Sequence, residues 1–262
     1  MITAMEPRSL TGKRILLTRA KQQLPAVIRA VEARGGTAIA FPCLELEVLS
    51  AQIEAVLSSL NSYSDILFTS RNGVLSLNAF CMERNRNLQQ LLNGKRIAAV
   101  GEHTAAALSQ LNITVDLIPE DASQAGLITA YGEYGAPEQL LFFRAEEGSD
   151  QLANALQKQD IMVNTVNAYR TICPTHDASE TIVMLEDNQI DAVLLGSSKT
   201  ARHYLQRVGS TELANRPTLV AISQPMAAAA EQLGLNVQVV AKRASFDAML
   251  DALSEHFATN PS

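Results

Sequence analysis

Tryptophan is absent from this sequence of 262 residues, and cysteine occurs three times. Cys43, Cys81 and Cys173 show no Cys-x-x-Cys pair or other spacing of a metal site, and an odd number does not fit a framework of disulfides. Such usage is typical of a reducing compartment, so we expect a cytoplasmic protein. The length fits one large domain or two domains of ordinary size.

Positive charge and long apolar runs are also scarce. The formal net charge is −6 and the sequence pI is about 5.3, which argues against a nucleic-acid partner because such a partner requires a basic face. No run approaches the ~18 apolar residues of a membrane-spanning helix. Residues 1–10 lack the apolar segment of a secretory signal, and we expect them to form a loose tail. The sequence therefore predicts a soluble protein without a membrane partner.

Several familiar site motifs are missing too. Neither a Gly-x-Gly-x-x-Gly nor a Gly-x-x-x-x-Gly-Lys-Ser/Thr segment is present, so a nucleotide cofactor has no support. No Ser–His–Asp signature occurs. The histidines at 103, 176, 203 and 256 share no ligand spacing, which argues against a metal.

Short runs rich in Val, Ile, Leu and Phe alternate with longer helical patterns. Because most runs are continuously apolar, they indicate parallel strands covered on both faces. The alternation predicts an α/β fold with doubly wound parallel sheets. The predicted strands are Arg14–Thr18, Ile66–Thr69, Arg96–Val100, Val115–Ile118, Leu140–Phe143, Ala192–Leu195, Thr218–Ile222 and Val237–Val240. Helical stretches include Leu24–Arg34, Ala105–Leu111, Asp150–Lys158, Met226–Leu233 and Phe246–Phe257.

Some of these units recur in the same order along the chain. The segment that begins at Ala99 resembles the one that begins at Ala221, 122 residues later. Phe68-Thr69-Ser70 matches Leu195-Gly196-Ser197, and Leu17–Ala20 matches Phe142–Ala145, at similar offsets. We interpret this pattern as an internal duplication.

Two segments with extended character interrupt the rhythm, at about 42–48 and 163–171. Prolines at 42 and 174 discourage helix beside them, and we interpret both segments as connectors. One cut near Gly135 would give two continuous lobes. Alternatively, the chain leaves the first lobe at about 42 and returns at about 171. The pattern leaves both partitions open.

Polar turns follow the predicted strands, where parallel sheets bind ligands. Helix first turns offer free N–H groups and a partial positive charge, which suit anions. A Ser or Thr before a helix is commonly only a cap, yet four equivalent turns favour an anion-binding cleft. The turns are Thr69-Ser70-Arg71-Asn72-Gly73, Gly101-Glu102-His103-Thr104, Ser197-Ser198-Lys199-Thr200 and Ser223-Gln224-Pro225-Met226, with Arg19 and Arg144 at two further strand ends.

Three other side chains are candidates for chemistry. Glu146 and Glu147 could transfer protons, although adjacent glutamates before a helix are more commonly favoured by its dipole. Tyr169 lies in a connector, where it either packs between strands or serves the site.

Taken in order, these segments resemble the uroporphyrinogen-III synthase family. The resemblance covers essentially the whole chain, and the turn Phe68-Thr69-Ser70-Arg71-Asn72-Gly73-Val74 is its most specific piece. The other matching pieces are Arg14–Arg19, Ala99–Ala105, Asn167–Thr171, the turn at Ser197 and Ala221–Leu233.

The resemblance implies two flavodoxin-like lobes joined by a two-stranded β-ladder. The first lobe would comprise residues 1–41 and 172–262, and the second residues 44–168. It also implies an enzyme that closes hydroxymethylbilane, a linear tetrapyrrole polycarboxylate, into uroporphyrinogen III with inversion of ring D and loss of water. No cofactor or metal is implied. We expect a monomer, with at most a transient contact with the enzyme that supplies the substrate.

The resemblance further implies a set of site residues. Tyr169 is the candidate acid that assists loss of water. The implied substrate-binding residues are Thr69, Ser70, Asn72, Thr104, Ser197, Ser198 and Lys199, to which the turns and strand ends add Arg19, Arg71, Gly73, His103, Arg144, Ser223 and Gln224. The family commonly has glycine at Ser223 and threonine at Met226, so that turn is expected to bind through backbone N–H groups.

Two alternatives remain at this point. One is a non-catalytic, two-lobed sensor that closes on an anion. The other is a phosphosugar-binding α/β enzyme, which predicts a phosphate-sized site within one lobe.

Overall fold

The computed structural model describes residues 9–260. Residues 1–8, most of the expected loose tail, lie outside this range, as do residues 261–262. The chain divides into two compact units. The first unit holds the chain up to Glu45 and again from Ile172 onward, and the second unit is Leu46–Thr171. The chain thus leaves the first unit and later returns to it.

Strands and helices alternate along most of the described chain. The strands are β1 (Arg14–Leu17), β2 (Thr37–Ala40), β3 (Glu45–Val48), β4 (Asp65–Phe68), β5 (Arg96–Ala99), β6 (Gln139–Ala145), β7 (Met162–Ile172), β8 (Ala192–Leu195), β9 (Thr218–Ala221) and β10 (Val237–Val240). The helices are α1 (Leu24–Glu32), α2 (Ser50–Leu57), α3 (Arg71–Glu83), α4 (Leu88–Leu91), α5 (Glu102–Ser109), α6 (Gln124–Tyr134), α7 (Gln151–Gln157), α8 (Ser179–Glu186), α9 (Ser198–Val208), α10 (Thr211–Ala214), α11 (Gln224–Glu231) and α12 (Phe246–Thr259), with short 3-10 helices at Lys21–Gln23 and Leu60–Ser62.

Within residues 9–260 these strands form two sheets of five. The first unit has the order β2-β1-β8-β9-β10, with parallel pairs throughout. Counted along the unit, this is the 2-1-3-4-5 order of flavodoxin-like sheets. The second unit has the order β5-β4-β6-β7-β3. Counted from β4, its first four strands repeat the order 2-1-3-4. The fifth position, at the edge, is occupied by β3, which is the first strand of the unit along the chain.

The inner strands β1, β4, β6, β8 and β9 are largely buried because helices cover both sheet faces. In the second unit α2, α3 and α5 pack on one face, and α6 and α7 pack on the other. In the first unit α1 and α12 cover one face, and α8 to α11 cover the other. Every residue of β4 and β8 is consequently buried, which explains their unbroken apolar sequences. The predicted α/β fold with two parallel-sheet lobes is confirmed.

Edge strands were harder to predict. Thr37–Ala40 was not predicted as a strand, because its side chains are half-buried or exposed and it lacks an apolar run. The predicted strand Val115–Ile118 is wrong: this segment forms only an isolated bridge between Leu117 and Ala98.

The two extended connectors form one ladder. β3 is the neighbour of β7 at the edge of the second sheet, and the Leu49 N–H donates to the Ala168 carbonyl at 2.9 Å. The first part of β7 pairs in parallel with β6. Arg170 on β7 binds both carboxylate oxygens of Glu47 on β3, at 2.7 and 3.0 Å.

Strand order relates the units differently from the sequence repeat. By position in the strand order, β1 of the first sheet corresponds to β4 of the second, and β8 corresponds to β6. The sequence offset instead matched the end of β1 with that of β6. Equivalent sites in the two units therefore follow β1 and β4, or β8 and β6.

In residues 9–260 no helix has the length and apolar character needed to cross a membrane.

Candidate functional site

In each sheet the strand order reverses between two neighbouring strands whose following helices pack on opposite faces. In the second unit β4 leads to α3 on one face, while its neighbour β6 leads to α7 on the other. In the first unit the corresponding neighbours are β1 and β8. Ligands of open α/β sheets bind at such switch points, outside the carboxyl ends of the strands. The candidate turns at Ser70 and Ser197 both lie there.

Ser70 begins α3 in the second unit. Its backbone is extended, and its Oγ accepts a hydrogen bond from the Gly73 N–H at 3.2 Å. The same Oγ lies 2.8 Å from the Tyr169 hydroxyl. Tyr169 reaches it because the β6–β7 register places this residue opposite Ala145, at the carboxyl end of β6. Two site residues predicted separately are thus brought into contact.

The Tyr169 phenol is mostly shielded from solvent. The residue is only 6% exposed, and burial raises the pKa of the phenol above its usual value. The hydrogen bond with Ser70 opposes that rise, whereas the charge of Glu147 adds to it. Tyr169 therefore keeps its proton at neutral pH. The Glu147 carboxylate is fixed beside the strand by the Thr171 N–H, which donates to it at 3.2 Å.

The other residues of the Ser70 turn differ in burial. Thr69 and Asn72 are half-buried, and Arg71 is exposed. Gly73 is buried, and a Cβ there would lie 3.4 Å from the Phe143 carbonyl oxygen. The first turn of α3 therefore packs closely against the end of β6.

The turn at Thr104 is built differently. Gly101 has a φ of 86°, which favours glycine. Thr104 is 3% exposed, and its hydroxyl donates to the Val100 carbonyl at 3.1 Å. His103 is exposed in the first turn of α5. The Thr104 hydroxyl thus stabilises the start of the helix.

Arg144 is engaged with the protein itself. Its Nε donates to Asn167 at 3.2 Å and its Nη1 to the Ser149 carbonyl at 3.0 Å. The same Nη1 forms an ion pair with Asp150 at 2.7 Å. The guanidinium therefore links the loop before α7 to the carboxyl ends of β6 and β7.

The first unit has its own capped turn. Ser197 begins α9, and its Oγ accepts from the Thr200 N–H at 3.1 Å and lies 2.8 Å from the Thr200 hydroxyl. Ser198 is exposed and Lys199 half-buried in the first turn. A Cβ on Gly196 would lie 2.8 Å from the Phe246 ring, so glycine is needed beside that ring.

Arg19 lies at the end of the neighbouring strand, β1. Its guanidinium stacks over the Phe246 ring, 4.2 Å from the centroid, and its Nε donates to Gln23 at 3.1 Å. Burial lowers its pKa. The contact with Phe246 had no signal in the sequence, because the two residues are far apart along the chain.

Ser223 differs from the other serine caps. It precedes α11, but its side chain makes no capping hydrogen bond within the described chain. Pro225 in the first turn lacks an N–H, Gln224 is exposed and Met226 is buried. Pro225 therefore removes one N–H donor from this first turn.

Residues 9–260 contain no group of three or more His, Cys, Asp or Glu side chains placed to hold a metal ion.

Comparison with known proteins identifies the family. A family model for uroporphyrinogen-III synthase HemD matches residues 25–251. The sequence is 27% identical over 261 residues to the uroporphyrinogen-III synthase of Synechococcus elongatus, covering 96% of this chain and 98% of that protein. It is 25% identical over 251 residues to the porphyrin biosynthesis protein HemD of Ruminiclostridium josui, covering 95% of this chain and 49% of that protein.

The fold agrees with a solved structure. The uroporphyrinogen-III synthetase of Helicobacter pylori superposes with a TM-score of 0.61 at 18% identity, over 93% of this chain and 99% of that one. At this identity the likeness shows the fold alone, whereas the family model covers most of the sequence. The chain belongs to the uroporphyrinogen-III synthase family.

Proposed function

We propose that this protein is a uroporphyrinogen-III synthase, which closes hydroxymethylbilane into uroporphyrinogen III with inversion of ring D and release of water. The observation that carries this conclusion is the family match over residues 25–251. The match to a synthase over nearly its whole length supports it. Neither the non-catalytic sensor nor the phosphosugar enzyme is favoured by these relatives.

The substrate's carboxylates bind at helix first turns in each unit. The first N–H groups of α3 and α9 have no partner within their helices and carry the positive end of the helix dipole. The Ser70 and Ser197 caps bind the N–H groups of Gly73 and Thr200, which leaves the N–H groups of residues 71, 72 and 198 as donors. Arg71 and Lys199 add positive charge beside these turns, and the exposed His103 and Gln224 lie on neighbouring first turns.

Tyr169 acts as the acid in the first step. Its phenol donates a proton to the hydroxymethyl oxygen of ring A as the C–O bond breaks, and water leaves. The pyrrole nitrogen stabilises the resulting azafulvenium cation. Because the phenol is protonated at neutral pH, its proton is available for this transfer.

The remaining steps depend on how the substrate is held. The substituted carbon of ring D attacks the cation to give a spiro intermediate, which fragments and recloses with ring D inverted. Ring D then loses a proton, which balances the one delivered at the start. Because closure without inversion gives the I isomer, the geometry of the bound chain selects the product as well as the rate.

We further propose that the protein works in a reducing cytoplasm. The free thiols of Cys43, Cys81 and Cys173 are compatible with that setting. In this proposal the protein works there as a monomer, with at most a transient contact with the enzyme that delivers its substrate.

The test is incubation with freshly generated hydroxymethylbilane, followed by oxidation and separation of the porphyrin isomers. We expect the III isomer to dominate with the wild-type protein. Tyr169→Phe should fold normally and turn over about 100-fold more slowly, the lower range of general-acid contributions. Formation of the I isomer alone, at the rate without protein, would overturn the assignment. An unchanged rate for Tyr169→Phe would remove this residue from the mechanism.

A further inference from the structure

The hydroxyl of Ser70 lies between a helix N-terminus and the Tyr169 phenol. Its Oγ accepts from the Gly73 N–H at 3.2 Å and is 2.8 Å from the phenol oxygen. A serine hydroxyl has one proton to donate and two lone pairs to accept with. The Gly73 N–H occupies one lone pair, so the Ser70 hydroxyl keeps its proton and its second lone pair for the contact with Tyr169.

A tyrosine that donates its only proton to a substrate needs a donor for its own oxygen. The phenolate that forms is buried, and a buried charge without a hydrogen bond is costly. Ser70 can supply that bond, since the N–H of the helix polarises its hydroxyl in the direction that strengthens donation.

We propose that Ser70 is a positioning residue for the reaction, whose hydroxyl donates to the Tyr169 oxygen and so directs the phenol proton toward the substrate. This role deepens the proposed function and rests on it. It also means that the Ser70 side chain serves the acid, while the backbone of the same turn binds carboxylate.

Other charged groups near the phenol do not provide this effect. The loop after β6 brings Glu146 and Glu147, and the adjoining strand β3 brings Glu47. Arg170, next to Tyr169 on β7, is paired with Glu47 and lies 3.8 Å from Glu146. The end of β6 carries Arg144, which pairs with Asp150, and the first turn of α3 carries the exposed Arg71.

The influences on the phenol pull in opposite directions. Burial and the charge of Glu147 raise the pKa of Tyr169, and the Ser70 hydrogen bond lowers it. Removing the serine hydroxyl should therefore move the titration upward. Neutralising Glu147 should move it downward.

The contrast with other caps separates this role from helix capping. Ser197 caps α9 with similar geometry, but its second neighbour is the Thr200 hydroxyl. Ser245 caps α12 by accepting from the Ala248 N–H at 3.2 Å. Only the capping function is lost in Ser245→Ala, which makes this variant a matched control.

The experiment compares Ser70→Ala, Ser70→Gly, Ser70→Thr and Ser245→Ala with the wild type. Glycine at a cap costs only a few tenths of a kcal/mol, so Ser70→Gly removes the hydroxyl even if the alanine variant folds poorly. The Tyr169 titration is followed by NMR of ring-labelled tyrosine and assigned with Tyr169→Phe. Steady-state turnover provides kcat and KM.

We expect Ser70→Ala and Ser70→Gly to raise the Tyr169 pKa and to lower kcat about tenfold, with little change in KM. Ser70→Thr should restore both, Glu147→Gln should lower the pKa, and Ser245→Ala should change neither the titration nor kcat. A loss of kcat without a shift of the Tyr169 titration would overturn the positioning role. The Tyr169 titration does not depend on the isomer assay. If the wild type makes no III isomer, the proposed function fails, but the titration still measures the effect of Ser70 on the phenol.

Discussion

The hydroxyl of Tyr131 is buried on the α6 face of the second unit and has no hydrogen-bond partner among residues 9–260. The residue is 1% exposed, and burial raises the pKa of its phenol. A buried polar group without a partner costs about 1–3 kcal/mol. We therefore predict that Tyr131→Phe raises the free energy of unfolding by about 1 kcal/mol, measured by urea denaturation at neutral pH.

The control is Tyr204→Phe in the first unit. Tyr204 is equally buried, but its hydroxyl donates to the Ala214 carbonyl at 3.1 Å, so this variant should lose about 1 kcal/mol. The advantage of Tyr131→Phe should also widen above about pH 10, the pKa of an unfolded tyrosine. There the unfolded wild-type chain releases a proton that the buried phenol retains, so wild-type stability falls. Equal effects of the two substitutions would contradict the assignment of partners.

Single residues were predictable by type but not by partner. Ser70 and Tyr169 were each proposed from the sequence, yet their contact depends on the β6–β7 register. Arg144 was predicted to bind substrate, and nothing in the sequence indicated that its guanidinium contacts Asn167, Ser149 and Asp150. The sequence shows that a charged group stands at a strand end. It does not show which partners that charged group contacts.

Elements were predictable where burial left a pattern. The strands β1, β4, β6, β8 and β9 have helices on both faces, and their apolar runs predicted them. The edge strand β2 has no such run. Val115–Ile118 has one, but its pairing with β5 stops at a single bridge. Edge positions are decided by neighbours that are distant in sequence, which local pattern cannot show.

Helix α6 offers a prediction at this scale through its two glycines. Gly126 lies in the first turn, where its N–H donates to Ser123 at 3.1 Å, and an added Cβ would meet the Asp121 carbonyl oxygen at 2.1 Å. Gly126→Ala must displace that backbone, so we expect a loss of about 3 kcal/mol. The measurement is urea denaturation followed by circular dichroism.

The matched control lies in the same helix. Gly132 is exposed, and a Cβ there would meet nothing within 4 Å. Since alanine favours helix over glycine, Gly132→Ala should gain up to about 1 kcal/mol. Opposite signs for one substitution type in one helix test the close approach at Gly126. Two gains would show that the loop at Asp121 yields easily.

The division of the whole chain could not be read from pattern alone. A cut near Gly135 and an excursion between about 42 and 171 were equally compatible with the strand–helix alternation. The choice depends on pairing between distant segments, such as β4 with β6 and β7 with β3. Local sequence patterns do not show which distant strands pair. The family resemblance, by contrast, implied that the chain leaves the first lobe and returns to it.

Fragments distinguish the two divisions. Residues 45–172 contain all five strands of the second sheet and both of that unit's apolar cores, so we predict that this fragment folds alone with a cooperative urea transition. Residues 1–135 are of similar length but lack β6 and β7. In that fragment β4 loses its neighbour on one side, β3 loses its only ladder, and the first sheet keeps only β1 and β2. It should therefore show no cooperative transition by circular dichroism or amide exchange. A cooperative transition for residues 1–135 together with an unfolded 45–172 fragment would favour the continuous division.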